Sequence, residues 1–428
     1  MILMNHATPA RFLGSHEATA SVPTLQALPL LAAPRRGCAA MQLRRQLPPP
    51  RAELQVSVII PAKDEAKNLP ATLSALAAQT DLHGQKLPLG CFEVIVLANN
   101  CTDATAAVVR QQARRFPQLV LHVAELRLPV AKAHVGRARR LLMDEACARL
   151  EQVGAPVGII ASTDADTCVA PTWLAAIQAE IAAGADAVGG RIHTEISGAE
   201  LLPLRRLQTR DTAYRLLCAR LEDLLDPSPV DSWPRHHQHF GASLALTAPA
   251  YRQVGGLPEV RFLEDEALCQ TLRRHDLLLR HSPHVQVLTS ARREGRVEVG
   301  LSWQLREWLN MCCQQREPHV ESPRQLAALW RVRRQLRAYW AGRPAHGYDE
   351  LAAVATRLGL AGPVLLAHVK QAATFGDLWE KVLAVTPRAA VAMVPLSLAL
   401  RELPLLIKPA QVFGIAEPIP RLVSQRAA

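Results

Sequence analysis

The stretch Val56-Ser57-Val58-Ile59-Ile60-Pro61 is a short apolar run that ends at a proline. A run of this length, rich in β-branched residues and closed by a turn residue, is typical of a strand buried on both faces of a parallel sheet. A helical repeat of apolar residues follows over 68–79, and a second apolar run begins at Phe92. The stretch therefore predicts the first strand of an α/β domain.

The alternation of apolar runs and helical repeats continues as far as Asp166. Strands that alternate with helices of this size predict a doubly wound, mostly parallel sheet flanked by helices. Ligands bind such sheets at the carboxyl ends of the strands, so the polar turns there are candidate site segments. Beyond Asp166 the pattern is looser, and residues from about 300 onward are predicted to be helical. The predicted strands lie at 56–60, 92–97, 119–123 and 157–162, and the predicted helices between them lie at 68–79, 104–116 and 136–150.

Three segments follow from this pattern. Residues 1–52 are rich in Pro, Ala and Arg and are predicted to be a poorly ordered leader, within which Met41 is an alternative start. Residues 53–300 form the predicted α/β domain, and residues 301–428 form a helical C-terminal extension. The apolar stretch 389–407 is interrupted by charged residues and two prolines. It is therefore interpreted as a buried or surface-lying helix, a candidate for peripheral contact with the inner membrane, and not as a membrane span.

Bulk composition restricts the class of protein only slightly. Hydrophobic residues make up 49% and charged residues 20% of the 428 residues, as in a globular protein. The net charge of +11 comes from arginines spread along the chain, so it neither selects nor excludes nucleic acid, a membrane or a phosphorylated substrate. Nine cysteines without a CxxC pair are typical of reduced thiols in a cytoplasmic protein.

An acidic pair directly follows the fourth predicted strand, in Asp164-Ala165-Asp166. Two carboxylates one residue apart in an extended turn project toward the same space, where they can hold one hard divalent cation that bridges a diphosphate. The alternative is a simple cap for a helix that begins near Pro171. The tripeptide alone favours the cap, but its place at the end of a strand makes a metal site an equal alternative.

A second acidic cluster, Glu264-Asp265-Glu266, follows Gly255-Gly256-Leu257-Pro258 and precedes a predicted helix. Three acids at that place can complement the helix dipole, or one of them can face a cavity and act as a general base. The acidic pair about a hundred residues earlier favours the second interpretation.

Two polar turns follow the first two strands, where a nucleoside can form hydrogen bonds: Pro61-Ala62-Lys63-Asp64-Glu65 and Asn99-Asn100-Cys101-Thr102-Asp103. Their residues are also ordinary turn residues. Neither turn is a Gly-rich phosphate loop, which counts against dinucleotide and ATP binding by such loops.

The segment His236-His237-Gln238-His239 has no further ligands at zinc spacing, and we interpret it as a loop lining an acceptor cleft or as a solvated turn.

Taken together, these segments resemble family 2 glycosyltransferases, and their order and spacing agree over roughly residues 55–300. Residues 56–65 are similar to the opening strand usually written VSVIIPxxNE, 99–105 to the DDGSTDGT turn, 136–140 to GxAxARN, 163–166 to the DxD motif, 255–258 to GGxP and 264–265 to ED.

The resemblance implies a GT-A fold, with a nucleotide-sugar half at 53–166 and an acceptor half at 167–300. It implies a bacterial, non-processive enzyme that moves a sugar from a nucleotide diphosphate sugar, with a UDP-sugar as the expected donor, to an unidentified acceptor hydroxyl. No nucleic-acid partner is implied, and the oligomeric state is left open. Asp166 would bind Mn²⁺ or Mg²⁺, and Asp265 would be the general base of an inverting displacement. The donor site would comprise Pro61, Ala62, Glu65, Asn99, Arg139, Asp164 and Ala165, with Arg139 helping the cation to neutralise the departing diphosphate.

Three departures from the family pattern leave parts of this interpretation open. Asp64 and Asn99 stand where Asn and Asp are usual, so selectivity for uracil is open. Thr289 stands near the usual position of a histidine, so the third metal ligand is open. Glu307 replaces the arginine of the QxxRW motif of processive members, which counts against a polymer synthase.

Other functions are kept as alternatives. A retaining GT-A enzyme that acts on a small phosphorylated acceptor would suit the basic net charge. An inactive nucleotide-sugar-binding scaffold that uses the helical C-terminal region for partners is disfavoured by the intact Glu264-Asp265 pair. A nucleotidyltransferase is disfavoured because its Gly-rich, Lys-bearing N-terminal loop is missing.

Overall fold

The structure is a computed structural model, which describes residues 38–155, 157–194, 196, 198–292, 299–342, 347–386 and 391–413. The chain forms two compact units. The first consists of the described residues within Met1–Glu195, Gln238–Leu272 and Leu277–Leu305, and the second of those within Ile196–His237, Arg273–Asp276 and Arg306–Ala428. The predicted domain boundaries at residues 52 and 300 remain predictions, and each compact unit draws on discontinuous stretches of the chain.

Strands and helices alternate through most of the first unit, and helices dominate the second. The strands are β1 Val56–Ala62, β2 Phe92–Asn99, β3 Val120–Leu126, β4 Ile159–Ser162, β5 Thr167–Val169, β6 Ala187–Thr194, β7 Leu244–Thr247, β8 Leu279–Thr289, β9 His319–Glu321 and β10 Met393–Pro395. The helices are α1 Cys38–Arg45, α2 Leu69–Ala77, α3 Thr105–Arg115, α4 Val135–Gln152, α5 Trp173–Ala182, α6 Leu202–Leu225, α7 Ala248–Gln253, α8 Glu264–Arg274, α9 Leu301–Cys313, α10 Pro323–Gly342, α11 Tyr348–Leu358, α12 Gly362–Gln371, α13 Phe375–Val385 and α14 Leu396–Phe413.

One mixed sheet organises the first unit, with the strand order β3-β2-β1-β4-β7-β6-β8-β5. Strand β1 is parallel to both β2 and β4, with Val56 opposite Phe92 on one side and Ile159 on the other. Among the described residues, four of the seven strand pairings are parallel, and three are antiparallel. The predicted α/β fold with a mostly parallel sheet and flanking helices is confirmed. Each antiparallel pairing includes a strand that follows Asp166, where the alternation in the sequence is looser.

The apolar runs of β1, β2 and β4 become buried strands, whereas β3 at the sheet edge is mostly half-buried. One charged pair lies among the buried strands. Glu93 on β2 accepts hydrogen bonds from Arg149 on α4 at 2.8 and 2.6 Å and from Ser57 at 3.0 Å. Burial opposes ionisation of Glu93, but the contacts with Arg149 and His122 outweigh it and lower the pKa of this carboxyl to about 2. The pair therefore satisfies its own charges inside the core.

Residues 38–52 differ from the irregular leader that the sequence predicts. Helix α1 places Leu43 in the core of the first unit with no exposed surface, and Leu47 also belongs to that core. Arg44 Nε lies 3.1 Å from Glu145. The Pro-rich composition hides these two leucines, which contribute buried apolar area and so order the segment. The rest of the predicted leader, residues 1–37, lies outside the described residues.

The second unit is helical, as predicted for the C-terminal region, and β9 pairs with β10 in a short antiparallel ribbon. Arg333 on α10 pairs with Glu222 on α6 at 2.7 Å and with Asp226 just after it.

Helix α14 covers the apolar stretch from Leu396, and residues 389–390 of that stretch lie outside the described residues. Within the part of the chain that the structure describes, no single helix is long and apolar enough to cross a membrane. The bent pair of α11 and α12, with 107° between them, passes that test of length and composition.

Candidate active site

A cavity of about 680 Å³ lies where β1, β2 and β4 end. Its position follows from the fold, because parallel neighbouring strands deliver the residues after their carboxyl ends to one edge of the sheet. Every residue that the sequence predicted for the site lines this cavity: Pro61, Ala62, Glu65, Asn99, Arg139, Asp164, Ala165, Asp166 and Asp265. The structure thus brings the nine together, while their individual roles stay predictions.

Arg139 on α4 is buried between two acidic groups. Its Nη2 lies 2.7 Å from Asp164 Oδ1, and its Nη1 pairs with Glu264 at the start of α8. The backbone of Gly241 is so close to the guanidinium that a Cβ atom there would lie 2.4 Å from Arg139 Cζ. Both terminal nitrogens are therefore engaged by carboxylates, and they tie the acidic turn to the first turn of α8. A role of Arg139 toward a departing diphosphate stays a prediction.

Asp166 contacts a different arginine. Arg292, three residues beyond β8, has its Nε 3.2 Å from Asp166 Oδ2 and its Nη1 2.7 Å from Glu65 Oε1. Burial, followed by the charge of nearby Asp164, raises the pKa of Asp166 to about 6, although Arg292 opposes the shift. The anionic form of Asp166 is therefore unfavourable in this environment, and a further cation would stabilise it.

Asp265 is held in the first turn of α8 by two backbone amides. Its Oδ2 accepts a hydrogen bond from Gly241 N at 2.8 Å, and its Oδ1 accepts one from Glu266 N at 2.8 Å. Leu263, two residues before Asp265, has a left-handed φ of 57°. Such a conformation costs a leucine about 1 kcal/mol or more, so the chain reversal before the acidic cluster is maintained by its surroundings. Each carboxylate oxygen keeps lone pairs for a further partner.

A buried chain of polar side chains joins the same turn of α8. Glu266 Oε2 lies 2.6 Å from His239 Nε2, and His239 Nδ1 lies 3.1 Å from His281 Nε2 on β8. His239 is only 1% exposed, so the solvated turn that was one alternative for residues 236–239 is wrong for this histidine. The next two residues, Phe240 and Gly241, line the cavity.

The departure at Asp64 has a structural role in the two polar turns. Asp64 adopts a φ of 54°, and its Oδ1 accepts hydrogen bonds from the backbone N of Thr102 at 2.6 Å and of Asp103 at 3.3 Å. The bond from Thr102 is the main reason that the pKa of Asp64 is lowered. The carboxylate therefore holds the second polar turn against the first.

Asn99 presents an unsatisfied oxygen at the same edge. It is 4% exposed, and its Oδ1 has no hydrogen-bond partner in the described part of the chain. Buried polar atoms in proteins are nearly always paired. An unpaired acceptor in a cavity wall is therefore a place where a donor group of a ligand would gain a hydrogen bond.

The chemistry of the acidic turn fits a hard divalent cation. Asp164 and Asp166 offer carboxylate oxygens, the ligands that such cations prefer, on one cavity wall. Thr289, near the position of the open third ligand, shares a hydrogen bond with Thr167 at 2.8 Å.

A separate cluster of potential metal ligands lies among the described residues. It consists of the side chains of Asp64, Cys101 and Asp103. The two carboxylates in this cluster already accept hydrogen bonds within the turns, from Thr102 and from Thr105. The acidic turn is therefore the better candidate for a cation that reaches the cavity.

Sequence patterns do not identify Arg292 as a site residue. The reason lies in the pairing of β5 with β8, in which Thr167 stands opposite Thr289 in an antiparallel register. This register carries the residues after Thr289 alongside Asp166, and Ser290 N donates to the Asp166 carbonyl at 3.2 Å. The sequence shows only an arginine shortly after an apolar run. That pattern indicates a site residue only once the register of β5 with β8 is known.

A mixed α/β sheet with polar turns after its first two strands and an acidic turn after β4 is a GT-A-like arrangement. Residues 57–232 match the family model of Glycosyl transferase family 2. The resemblance to family 2 glycosyltransferases seen in the sequence is therefore confirmed over these residues. A search of curated proteins gives no match.

Several solved glycosyltransferase structures are similar to this chain. A mannosyltransferase from Pyrobaculum calidifontis, solved with GDP-Man and Mn²⁺, has 18% identity, with 88% of this chain and 89% of that chain covered and a TM-score of 0.41. TarS residues 1–349 from S. aureus, solved with UDP-GlcNAc, has 15% identity, with 77% and 91% covered and a TM-score of 0.40. Glucosyl-3-phosphoglycerate synthase from M. tuberculosis has 18% identity, with 67% and 90% covered and a TM-score of 0.35. At TM-scores this low these structures carry no argument, and the resemblance to the family rests on the match of residues 57–232 to the family model.

Proposed function

We propose that the chain is an inverting, non-processive glycosyltransferase that moves a sugar from a nucleotide diphosphate sugar to an acceptor hydroxyl. The observation that supports this most is that Asp166 and Asp265 line one cavity together with the first polar turn and Asn99, in a chain that matches family 2 over part of its length. A metal-binding acid and a general base are the two groups that such a displacement needs.

The donor half of the proposed site lies at the ends of β1 and β2. Pro61, Ala62 and Glu65 would line the nucleoside pocket, and the unpaired Oδ1 of Asn99 would accept an N–H of the base. A side-chain amide offers both an acceptor and donors, so it can bind more than one base. A UDP-sugar is our expected donor, and the first measurement is which nucleoside the site binds.

Asp166, with Asp164 beside it, would hold Mn²⁺ or Mg²⁺. When bound, such a cation supplies positive charge to the diphosphate leaving group. Arg139 holds the Asp164 carboxylate at 2.7 Å from one side, so that carboxylate keeps its orientation as a ligand enters. Asp166 has a raised pKa of about 6, so its ionised form is the one that gains from a cation.

Asp265 would remove the proton of the acceptor hydroxyl while the oxygen attacks the anomeric carbon. The amides of Gly241 and Glu266 fix its carboxylate, which favours a single orientation toward the acceptor. Attack from the side opposite the diphosphate inverts the anomeric configuration, and one transfer completes the reaction.

A thermal-shift screen of nucleotide sugars with Mn²⁺ or Mg²⁺ tests the donor site, and Asp166→Ala should abolish the shift. NMR of the product anomer distinguishes the proposed inversion from a retaining enzyme. The scaffold alternative predicts donor binding without transfer or hydrolysis. If no nucleotide sugar shifts the melting temperature with any divalent cation, the proposal fails.

The cellular place of the reaction is part of the proposal. The cysteines whose side chains the structure describes are all free thiols, which suits the cytoplasm. Peripheral contact with the inner membrane through the C-terminal region is tested by flotation of the protein with vesicles that contain anionic lipids.

A further inference from the structure

The carboxylates of the cavity are divided between two arginines that differ in accessibility. Arg139 pairs with Asp164 and Glu264, and its side chain is 5% exposed. Arg292 pairs with Asp166 and Glu65, and its side chain is 29% exposed. The Gly241 backbone also encloses the guanidinium of Arg139. One arginine is thus fixed in the protein, while the other reaches the acidic turn from a partly solvated position.

The contact of Arg292 with Asp166 occupies an oxygen that a metal would need. Its Nε lies 3.2 Å from Asp166 Oδ2, and the same guanidinium spans to Glu65 Oε1 at 2.7 Å. Two positive charges at contact distance from one carboxylate oxygen repel each other strongly away from bulk water. A divalent cation on Asp166 therefore competes with the guanidinium in this position. Releasing Arg292 takes positive charge away from two largely buried carboxylates, so the release is favourable only when another cation replaces it.

We propose that Arg292 is a tethered counter-cation, which takes the place of the divalent metal at Asp166 and is displaced when donor and metal bind together. This inference rests on the proposed function, because it assumes a metal at Asp166. Metal alone meets competition from Arg292, whereas a nucleotide diphosphate brings negative charge for both the metal and the released guanidinium. Arginine binds phosphate oxygens well through its planar fork. Metal binding and donor binding are then coupled through this side chain.

The test is a measurement of Mn²⁺ affinity by EPR of the free ion, with and without UDP as the probe. Arg292→Gln is compared with wild type and with Arg114→Gln, which removes the same charge from an exposed position on α3. Without UDP, Arg292→Gln should bind Mn²⁺ about tenfold tighter or more, since one competing unit charge is gone. Arg114→Gln should match wild type. With UDP, the advantage of Arg292→Gln should shrink to about threefold or less, as the diphosphate compensates the released charge.

Equal or weaker Mn²⁺ binding by Arg292→Gln in the absence of UDP overturns the inference. Arg292→Lys serves as a second variant, since it keeps the charge but lacks the fork that spans Asp166 and Glu65. It should bind Mn²⁺ more tightly than wild type and less tightly than Arg292→Gln, and it decides the matter if the glutamine variant does not fold. Absence of Mn²⁺ binding by every variant, with or without UDP, contradicts the proposed metal site itself. Tight binding that is equal in wild type and Arg292→Gln contradicts only the role of Arg292.

Discussion

Replacing Asp166 by asparagine removes a carboxylate whose ionisation the folded chain opposes. Its pKa rises from 3.8 to about 6, and each unit corresponds to about 1.4 kcal/mol, so the ionised form costs the folded state roughly 3 kcal/mol. Because the folded pKa is higher than the unfolded one, this cost is absent below pH 3.8, grows between 3.8 and about 6, and is complete above that. Asp166→Asn should therefore stabilise the metal-free protein by up to about 3 kcal/mol at pH 7.5 and by about 1 kcal/mol at pH 4.5.

Urea unfolding in the presence of EDTA at both pH values measures this effect. The matched control is Asp164→Asn, which loses a contact with Arg139 but also removes the charge that disfavours ionised Asp166, so its net effect should stay within about 1 kcal/mol. In separate samples without EDTA, Asp166→Asn should lose the stabilisation by nucleotide sugar and Mn²⁺. An Asp166→Asn protein that is less stable than wild type at pH 7.5, or whose gain does not shrink at pH 4.5, would refute the reasoning.

Three further substitutions test other parts of the structure. Asp265→Asn should lower kcat by about 10²- to 10⁴-fold in a transfer assay while the donor-induced thermal shift remains, because the base is lost and the donor site is not; a lost thermal shift would contradict this assignment. Gly241→Ala places a Cβ 2.4 Å from Arg139 Cζ and should lower the free energy of unfolding by about 1–3 kcal/mol, whereas Gly347→Ala, with nothing within 4 Å, should have little effect. Glu93→Gln should destabilise the protein by about 3 kcal/mol at pH 7 and by less than about 1 kcal/mol at pH 2.5, because the depressed pKa of about 2 contributes stability above pH 4.5 that is lost as the pH falls; a pH-independent difference in urea unfolding would count against it.

The first four strands were predictable because each is a local apolar run closed by a turn residue. The prediction of a strand over 157–162 corresponds to β4 Ile159–Ser162, and the acidic turn follows it as expected. Strand β5 was not predictable, since three residues, Thr167–Val169, carry no periodicity. Its partner β8 lies more than a hundred residues later, so the register between the two strands depends on tertiary packing and not on local sequence. The position of Arg292 depends on that register.

The acidic residues of the site were predictable as motifs, whereas their partners were not. Arg139 and Arg140 are neighbours in the sequence, but one pairs with Asp164, and the other pairs with Asp144 at 2.8 Å. Successive residues on a helix point about 100° apart, so adjacent arginines face different surroundings. Which of them enters the cavity depends on the packing of α4. The same holds for His239, whose carboxylate partner is known only once α8 is in place.

The backbone of residues 240–242 acts as a spacer between the two acidic elements of the cavity. Thr163 Oγ1 donates to the Ala242 carbonyl at 3.0 Å, and Ser162 Oγ donates to the Gly241 carbonyl at 2.9 Å. The backbone N of Gly241 donates a hydrogen bond to Asp265 Oδ2 at 2.8 Å. The distance between the acidic turn and Asp265, the proposed base, is thus set by main-chain atoms and by hydroxyls that precede Asp164. Side chains elsewhere in the cavity can therefore be varied to change the proposed acceptor while these few residues keep the acidic turn and Asp265 at a constant separation.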